Sequence, residues 1–249
     1  MKIAVAGGTG VVGRHVVDAA RSDGHEIVVL SRAAGIDLLT GAGLEAALDG
    51  VEAVVDTANV ETLSAKKATD FFERATGTLV AGAVRAGVRH LVVLSIVGID
   101  RMPYDYYAGK VAQERVAEAS PVPWTILRAT QFHEFAGQMF ARGKVGPLHV
   151  APRARVQPVA AREVGRHLAT LAGGVPQGRA ADLAGPREER LDDMIKAYAT
   201  HIGHRGWIPS VSLPGAQLKA MRDGRALPGA GATLGVQTFA EWLATIDRH

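Results

Sequence analysis

A serine, a tyrosine and a lysine in the middle of the chain have the types and the spacing of a proton-transfer site. Ser95 ends an apolar, strand-like run, and Tyr106 precedes Lys110 by four residues. If residues 106–120 form a helix, the side chains of Tyr106 and Lys110 project from one face. A nearby ammonium would lower the pKa of the phenol by stabilising the phenolate, and a serine hydroxyl could hold a substrate oxygen. These three residues are the predicted catalytic set, with Tyr107 as the competing proton donor.

The segment GGTGVVG near the start of the sequence is a glycine-rich loop between a predicted strand and a predicted helix. Two glycine patterns overlap in it, G-x-G-x-x-G from Gly8 and G-x-x-G-x-x-G from Gly7. Glycines let the backbone approach a pyrophosphate, and the following helix N-terminus favours the anion. The sequence therefore predicts a dinucleotide site formed by Gly7, Thr9, Gly10, Val11, Val12 and Gly13.

The residues after the second predicted strand indicate which dinucleotide binds. An NAD site usually has an acidic residue there for the ribose 2′-hydroxyl, but this chain has Ser31 and Arg32. A guanidinium makes charged, bidentate hydrogen bonds that suit a 2′-phosphate. We therefore expect NADP(H) rather than NAD(H). Asp37 is either an adenine contact or an ordinary turn carboxylate.

These residues need a scaffold, and the first half of the chain alternates short apolar runs with helical patterns. Such alternation predicts βαβ units and a parallel sheet with helices on both sides. The fold class is therefore α/β, a Rossmann-type doubly wound parallel sheet. The predicted strands are 2–7, 25–31, 51–58, 90–95 and 123–129, and the helices between them are 11–24, 41–50, 65–87 and 106–120.

After about residue 135 the pattern becomes loop-rich. Helices are expected at 161–174, 189–203, 214–224 and 237–246, with an edge strand within 206–213. We interpret residues 1–135 as the NADP-binding core and residues 136–249 as a small C-terminal α/β substrate lobe packed on it as one continuous unit.

Composition restricts the function classes. The chain has 249 residues, a formal net charge of +3 and scattered basic residues, which does not favour nucleic acid binding. The absence of cysteine excludes thiol chemistry and disulfides. No stretch has ligand-like spacing for a metal, no apolar run is long enough for a membrane span, and no signal peptide is recognised, so a cytoplasmic protein is expected.

The glycine loop, Ser95, the Tyr106-x-x-x-Lys110 pair and the following segment WTILRATQFHEF together resemble the short-chain dehydrogenase/reductase superfamily, specifically its atypical, NmrA-like branch. The resemblance implies a cofactor held by the glycine loop, with Arg32 at the adenosine phosphate and Lys110 at the nicotinamide ribose. It places Thr130 and Phe132 beside the nicotinamide. Ala58 is also assigned to the cofactor, and Asn59 is a candidate substrate contact whose role stays open.

His133 follows the fifth predicted strand and either lines the substrate pocket or packs in the interior. Tyr107 is likewise a candidate substrate contact. The prediction is an NADPH-dependent oxidoreductase that reduces a small carbonyl, quinone or related conjugated acceptor. Two alternatives remain, a non-catalytic NADP(H) sensor acting through a protein partner and an epimerase or isomerase of a nucleotide sugar. The sequence does not distinguish a monomer from a homodimer.

Overall fold

The structure is a computed structural model that describes residues 1–146 and 148–247. In chain order its strands are β1 Lys2–Ala6, β2 Glu26–Leu30, β3 Ala53–Asp56, β4 His90–Ile96, β5 Trp124–Ala129, β6 Lys144–Val145, β7 Leu148–His149, β8 Ala151–Pro152, β9 Arg155–Val156, β10 Gly178–Arg179, β11 Leu183–Ala184, β12 Glu189–Arg190, β13 Ser210–Val211 and β14 Thr233–Leu234. Its helices are α1 Gly13–Ser22, α2 Leu44–Ala47, α3 Ala65–Arg85, α4 Tyr106–Glu118, α5 Phe135–Arg142, α6 Ala161–Gly173, α7 Leu191–His201, α8 Ala216–Arg222 and α9 Phe239–Leu243.

The chain forms two compact units, each built from separate stretches of sequence. The first contains residues 1–99, 103–128 and 161–181, and the second contains residues 100–102, 129–160 and 182–249. The units therefore divide the chain differently from the expected boundary at residue 135. Helix α6 belongs to the first unit because it packs against α1, a contact that sequence periodicity does not reveal.

The first unit is a mostly parallel sheet with the strand order β5-β4-β3-β1-β2. Strand β1 pairs in parallel with both β2 and β3, and β3 pairs in parallel with β4. The chain thus moves to one side of β1 after the first crossover and to the other side after the second. In sheets of this order, ligands bind at the carboxyl ends of the two strands where the direction reverses, which here are β1 and β3.

The strands form because they are short apolar runs that can be buried on both faces. Ile3 to Ala6 and Ala53 to Asp56 are almost completely buried. One core cluster joins Ala4, Val54 and Leu91 of the sheet to side chains from α2, α3 and α4. Helices α1 and α6 pack against each other, and α6 also contacts β3 and β4. The predicted Rossmann-type fold class is confirmed.

The second unit combines helices with several two-residue strands. Strands β9 and β12 pair antiparallel, β8 and β13 pair in parallel, and β11 pairs in parallel with β14. Helix α5 packs against α7, and a capping box between Thr238 and Glu241 begins α9. The edge strand expected within 206–213 is only Ser210–Val211.

Within the part of the chain that the structure describes, no helix has both the length and the apolar composition that crossing a membrane requires.

Candidate cofactor and catalytic site

The loop after β1 is a tight turn that only glycine can form at two positions. Gly7 has a φ of +71°, in the left-handed region, and its carbonyl accepts a hydrogen bond from the N–H of Gly10 at 2.8 Å. A Cβ atom on Gly13 would lie 2.1 Å from the Gly7 carbonyl oxygen. The loop and the first turn of α1 are therefore in direct contact.

These contacts favour the pattern Gly7-x-x-Gly10-x-x-Gly13 over the alternative from Gly8. Gly8 is buried, and a Cβ there would press against Val29 and Val5 of the sheet, at 3.0 and 3.1 Å. Gly8 thus serves packing beneath the loop. Gly10, in contrast, is exposed at the tip of the turn together with Thr9, where the backbone is open to a ligand.

Helix α1 begins at Gly13, and its N-cap residue Val12 provides no side-chain hydrogen bond. The first N–H groups of a helix have no partner within it, and the helix dipole makes that end attractive to an anion. Val12 is buried and Val11 is partly exposed at the same end. The residues fit a pyrophosphate because the turn is open and the helix end is not capped by its own side chain.

The end of β2 carries Ser31 and Arg32 on a single 3₁₀ turn, Arg32–Ala34. The Ser31 hydroxyl oxygen accepts a hydrogen bond from the N–H of Ala34 at 3.3 Å, and its own proton is left to donate. Arg32 is exposed. Asp37 acts as a turn carboxylate, because its Oδ1 accepts from the N–H of Leu39 at 2.7 Å. An additional adenine contact by Asp37 stays a prediction.

The turn after β3 adjoins the glycine loop. The N–H and the hydroxyl of Thr57 both donate to the carbonyl of Ala6, at 3.0 and 2.7 Å. A Cβ on Gly7 would lie 2.7 Å from the Thr57 carbonyl oxygen and 3.0 Å from the Cα of Ala58. The carboxyl ends of β1 and β3 are thus joined, and Ala58 is next to the loop, as its predicted place at the cofactor requires.

Tyr106 is the first residue of α4, and its hydroxyl donates to Oδ1 of the exposed Asn59 at 2.6 Å. Its ring makes edge contacts with Phe72 and Tyr107. Asn59 follows β3 by three residues, so the phenol is held at the carboxyl edge of the sheet. The contact gives Asn59 a specific partner, which the sequence did not indicate.

The expected lowering of the pKa of Tyr106 by Lys110 is wrong. Burial raises the pKa of the phenol, and the neighbouring Tyr107 and Asp56 raise it further. The ammonium of Lys110 points into the interior, where it donates to the Leu94 carbonyl at 2.6 Å. Tyr106 therefore remains protonated at neutral pH in the ligand-free protein.

Lys110 is almost completely buried, with 4% of its surface exposed. Besides the Leu94 carbonyl, its Nζ donates to Oε1 of Gln113, and it lies 4.6 Å from the ring centroid of Phe72. Burial lowers the pKa of Lys110 to about 8, although Asp56 and Glu114 act in the opposite direction. A lysine whose pKa is lowered by burial toward neutral pH is typical of functional sites.

Ser95 is buried at the end of β4 and faces Glu114 on α4. Burial alone would raise the pKa of Glu114, but the hydrogen bonds and charge of Arg128 and the hydrogen bond of Arg179 outweigh it and lower the pKa, while Ser95 Oγ has no hydrogen-bond partner among the described residues. Arg128 binds both carboxylate oxygens, at 2.8 and 2.7 Å, and Arg179 binds one of them at 2.9 Å. The orienting role predicted for Ser95 stays a prediction, while the structure shows its hydroxyl beside a buried ion pair.

Thr130, Phe132 and His133 all lie in the second unit. The Thr130 hydroxyl donates to the Gln157 carbonyl at 2.5 Å, and Phe132 forms a parallel bridge with Val159. His133 is fully buried, its ring packs against Phe239 and Trp242, and its Nε2 lies 3.1 Å from the Gln237 carbonyl. Between the two roles considered for His133, these contacts favour interior packing.

Sequence reasoning did not find the buried polar residues that support the site, namely Asp56, Thr76, Gln113 and Glu114. A signal was available, because Lys110, Gln113 and Glu114 have the i, i+3, i+4 spacing of one helix face. Polar residues on a face that must be buried are expected to be paired. Asp56 gave a similar signal, because it is an acidic residue that ends an otherwise apolar strand.

Solved structures similar to this one share its fold at low sequence identity. They include an NADPH-dependent quinone oxidoreductase from Escherichia coli, 14% identical with a TM-score of 0.67, covering 97% of this chain and 98% of that chain. A Citrobacter triphenylmethane reductase complexed with NADP(H) is 16% identical with a TM-score of 0.66, covering 92% of this chain and 93% of that chain. A Bacillus cereus UDP-N-acetylglucosamine 4-epimerase is 17% identical with a TM-score of 0.69, covering 100% of this chain and 98% of that chain.

A comparison with curated protein sequences finds no match. A family model described as NAD(P)H-binding matches residues 33–167, a span that includes β3, α4 and the Tyr106–Lys110 pair. This span is more than half of the chain, and the glycine loop that precedes it has the geometry of a dinucleotide site. The protein therefore belongs to the NAD(P)H-binding family.

Proposed function

We propose that the protein is an NADPH-dependent oxidoreductase that reduces a small carbonyl, quinone or related conjugated acceptor by hydride transfer. The observation that carries the proposal is the position of the Tyr106 hydroxyl. It is held by Asn59 at the carboxyl end of β3, and β3 is the neighbour of β1, whose end forms the glycine loop. The Tyr106 hydroxyl and the glycine loop thus lie at the same edge of one sheet, which supports their proposed roles as proton donor and dinucleotide site.

The cofactor half of the proposal assigns a role to each loop. The open turn at Thr9 and Gly10 and the N-terminus of α1 would hold the pyrophosphate. The exposed Arg32 guanidinium and the donor proton of the Ser31 hydroxyl would hold a 2′-phosphate, since no acidic residue ends β2. These contacts support NADP(H) over NAD(H), a choice that family membership leaves open.

Lys110 would contribute one hydrogen bond to the nicotinamide ribose. An ammonium has three N–H donors, and the Leu94 carbonyl and Gln113 account for two of them. Because the ammonium here points into the interior beside the Phe72 ring, its remaining donor would reach the ribose only after the side chain turns toward the carboxyl edge of the sheet. The resemblance to the NmrA-like branch of the short-chain dehydrogenases supports this assignment.

Tyr106 would donate the proton to the acceptor oxygen, while hydride transfer is the chemistry that NADPH supplies when bound. Its raised pKa keeps the phenol in the donor form. The hydrogen bond that it now gives to Asn59 shows that the proton faces an exposed acceptor. The acceptor oxygen would take the place of the Asn59 amide oxygen, which is a neutral and replaceable partner.

The proposal is tested by the oxidation of NADPH and NADH with a panel of quinones, ketones and triarylmethane dyes. We expect net oxidation of NADPH with at least one class, and a preference for NADPH over NADH. Replacing Arg32 with Gln should weaken NADPH binding by about tenfold or more, because a charged hydrogen bond contributes about 1.5–3 kcal/mol, and should leave NADH binding unchanged.

Two results would contradict the proposal. Binding of NADPH without its oxidation by any acceptor would favour the sensor function. Interconversion of a nucleotide sugar with no net consumption of cofactor would favour the epimerase function, which the fold alone also permits.

A further inference from the structure

The strongest unassigned feature of the first unit is a buried carboxylate directly beneath the proposed site. Asp56 is the last residue of β3 and is 1% exposed. It lies in register with Ala6 of β1 and Val93 of β4, so it is at the carboxyl edge of the central strands. No step of the proposed reaction uses it, and a buried carboxylate requires several partners.

The two carboxylate oxygens of Asp56 are divided between the loop above and the helices beside it. Oδ1 accepts from the N–H of Ala58 at 3.0 Å. Oδ2 accepts from the Thr76 hydroxyl on α3 and from Nε2 of Gln113 on α4, both at 2.9 Å. One side chain thus joins three elements that have no regular backbone pairing with one another at this point.

Two of these three bonds continue to residues of the proposed site. Gln113 receives its orientation from Asp56, because Nε2 faces the carboxylate and Oε1 is then turned to accept from Lys110. Ala58 precedes Asn59, whose Oδ1 accepts from the Tyr106 hydroxyl. The path through α4 ends at the lysine, and the path through the turn ends at the tyrosine.

We propose that Asp56 is the positioning residue of the site, fixing Lys110 through Gln113 and, before an acceptor replaces Asn59 at the Tyr106 hydroxyl, fixing Asn59 and Tyr106 through the backbone of Ala58. The inference rests on the proposed roles of Tyr106 and Lys110 and adds to them. Asp56 is almost completely buried and both its oxygens accept hydrogen bonds from the protein, so it acts through other residues. Thr76 completes the set by holding the second oxygen of the carboxylate.

The charge of Asp56 has a consequence for both titrating groups. The charged groups that act on Lys110 are Asp56 from β3 and Glu114 from its own helix, and both favour the ammonium against burial. Asp56 also disfavours the phenolate of Tyr106. Removing the charge of Asp56 should therefore lower the pKa of Lys110 and the pKa of Tyr106 together.

The test is the titration of Lys110 in ligand-free protein, followed by NMR with lysine labelled at Cε and assigned with Lys110→Met. In Asp56→Asn we expect the pKa of Lys110 to fall by about one unit or more, the size expected when a nearby opposite charge is lost. The alkaline limb of kcat/KM for NADPH oxidation should move to lower pH in parallel.

The matched control is Asp192→Asn. Asp192 is another buried aspartate, which belongs to the second unit and pairs with Arg190. Its substitution should leave the Lys110 titration unchanged.

Thr76→Val provides a second variant that changes no charge. It removes one hydrogen bond to Oδ2, and because the carboxylate then holds Gln113 less firmly, we expect a change of the Lys110 titration that is smaller than in Asp56→Asn. If Asp56→Asn does not fold, the Lys110 titration in Thr76→Val alone tests the positioning role of Asp56. An unchanged Lys110 titration in every Asp56 or Thr76 variant that folds would overturn the inference.

The inference and the proposed function fail in different ways. If Asp56→Asn shifts the Lys110 titration but no acceptor is reduced, the proposed reaction is wrong and the positioning of Lys110 by Asp56 stands. If an acceptor is reduced and Asp56→Asn has the wild-type Lys110 titration and pH profile, the reaction stands and the positioning role is wrong.

Discussion

Helix α4 buries two charged side chains one turn apart, Lys110 and Glu114, and the groups that surround them differ in charge. Glu114 is met by two guanidiniums, with Arg128 bound to both its oxygens and Arg179 bound to one. Lys110 is met by a backbone carbonyl, the amide of Gln113 and the Phe72 ring. The first charge is neutralised by direct counter-ions, and the second is held by neutral groups.

The pKa shifts show the result of this difference. The pKa of Glu114 is lowered despite burial, so its charged form is favoured. Burial lowers the pKa of Lys110 to about 8, so its charged form is disfavoured. A buried charge with counter-ions supports the fold, whereas one that the fold disfavours is retained for another reason. We propose that Glu114 serves stability and that Lys110 serves the reaction, and the following predictions test this division.

The largest expected effect is the loss of turnover in Tyr106→Phe, which tests the proposed reaction. Loss of a positioned proton donor should reduce kcat by about 10²–10⁴-fold. The free energy of unfolding should fall by only about 1 kcal/mol, since one hydrogen bond to Asn59 is lost. Steady-state kinetics and urea unfolding measure the two quantities. Tyr107→Phe is the matched control, and a comparable loss of kcat there would transfer the donor role to Tyr107.

Glu114→Gln should instead lower the free energy of unfolding by about 3 kcal/mol, because it leaves the Arg128 guanidinium without its counter-ion. Glu118→Gln is the control on the same helix. Glu118 pairs with Arg179 at the surface, and its loss should change stability by less than about 1 kcal/mol. Equal effects in the two variants would contradict the structural role of Glu114.

The pH dependence of this difference has a defined sign. Because the pKa of Glu114 is lowered in the folded chain, its stabilisation is complete above the ordinary glutamate value of 4.5 and is lost as the pH falls through the folded value. The stability gap between wild type and Glu114→Gln should therefore narrow in acid. Urea unfolding at a series of acidic pH values measures it.

Lys110→Met should change the stability at neutral pH very little. Burial lowers the pKa of Lys110 from 10.5 to about 8, which corresponds to about 3 kcal/mol of destabilisation of the ammonium at about 1.36 kcal/mol per pKa unit. The substitution by Met removes this destabilisation. The unpaired Leu94 carbonyl and Gln113 amide cost about 1–3 kcal/mol in return. Between about pH 8 and 10.5 the unfolded wild-type chain holds a proton that the folded chain has released, so wild-type stability rises with pH relative to Lys110→Met. A constant difference between the two proteins across this range would show that Lys110 is not disfavoured by burial.

The smallest effect is expected in Ser95→Ala. Because the buried Ser95 Oγ has no hydrogen-bond partner among the described residues, removing the hydroxyl should change the free energy of unfolding by less than about 1 kcal/mol and, if it does not orient a substrate, leave kcat/KM near the wild-type value. A loss of kcat/KM comparable to that in Tyr106→Phe would instead restore the orienting role that the sequence predicts for Ser95. Kinetics and unfolding of the same preparation decide between the two.

The elements of the first unit could be predicted from the sequence because each strand is an apolar run bounded by turn residues. The tight turn of the glycine loop could be predicted because backbone geometry determines it locally, whereas the 2′-phosphate contact expected of Arg32 stays a prediction. The direction of the Lys110 ammonium could not, since it depends on Gln113 and on Asp56 from a distant strand. The same limit applies to the lowered pKa expected for Tyr106, because helical spacing shows that two side chains share a face but not that one of them points inward.

The division between Lys110 and Glu114 on α4 is tested most directly by the dissociation constant of NADPH for Lys110→Met and for Glu114→Gln at neutral pH. If the Lys110 ammonium is kept for the cofactor, Lys110→Met weakens NADPH binding by about tenfold or more, the value of a charged hydrogen bond, and folded Glu114→Gln binds NADPH as wild type does. Equal affinity in Lys110→Met and wild type would contradict the account.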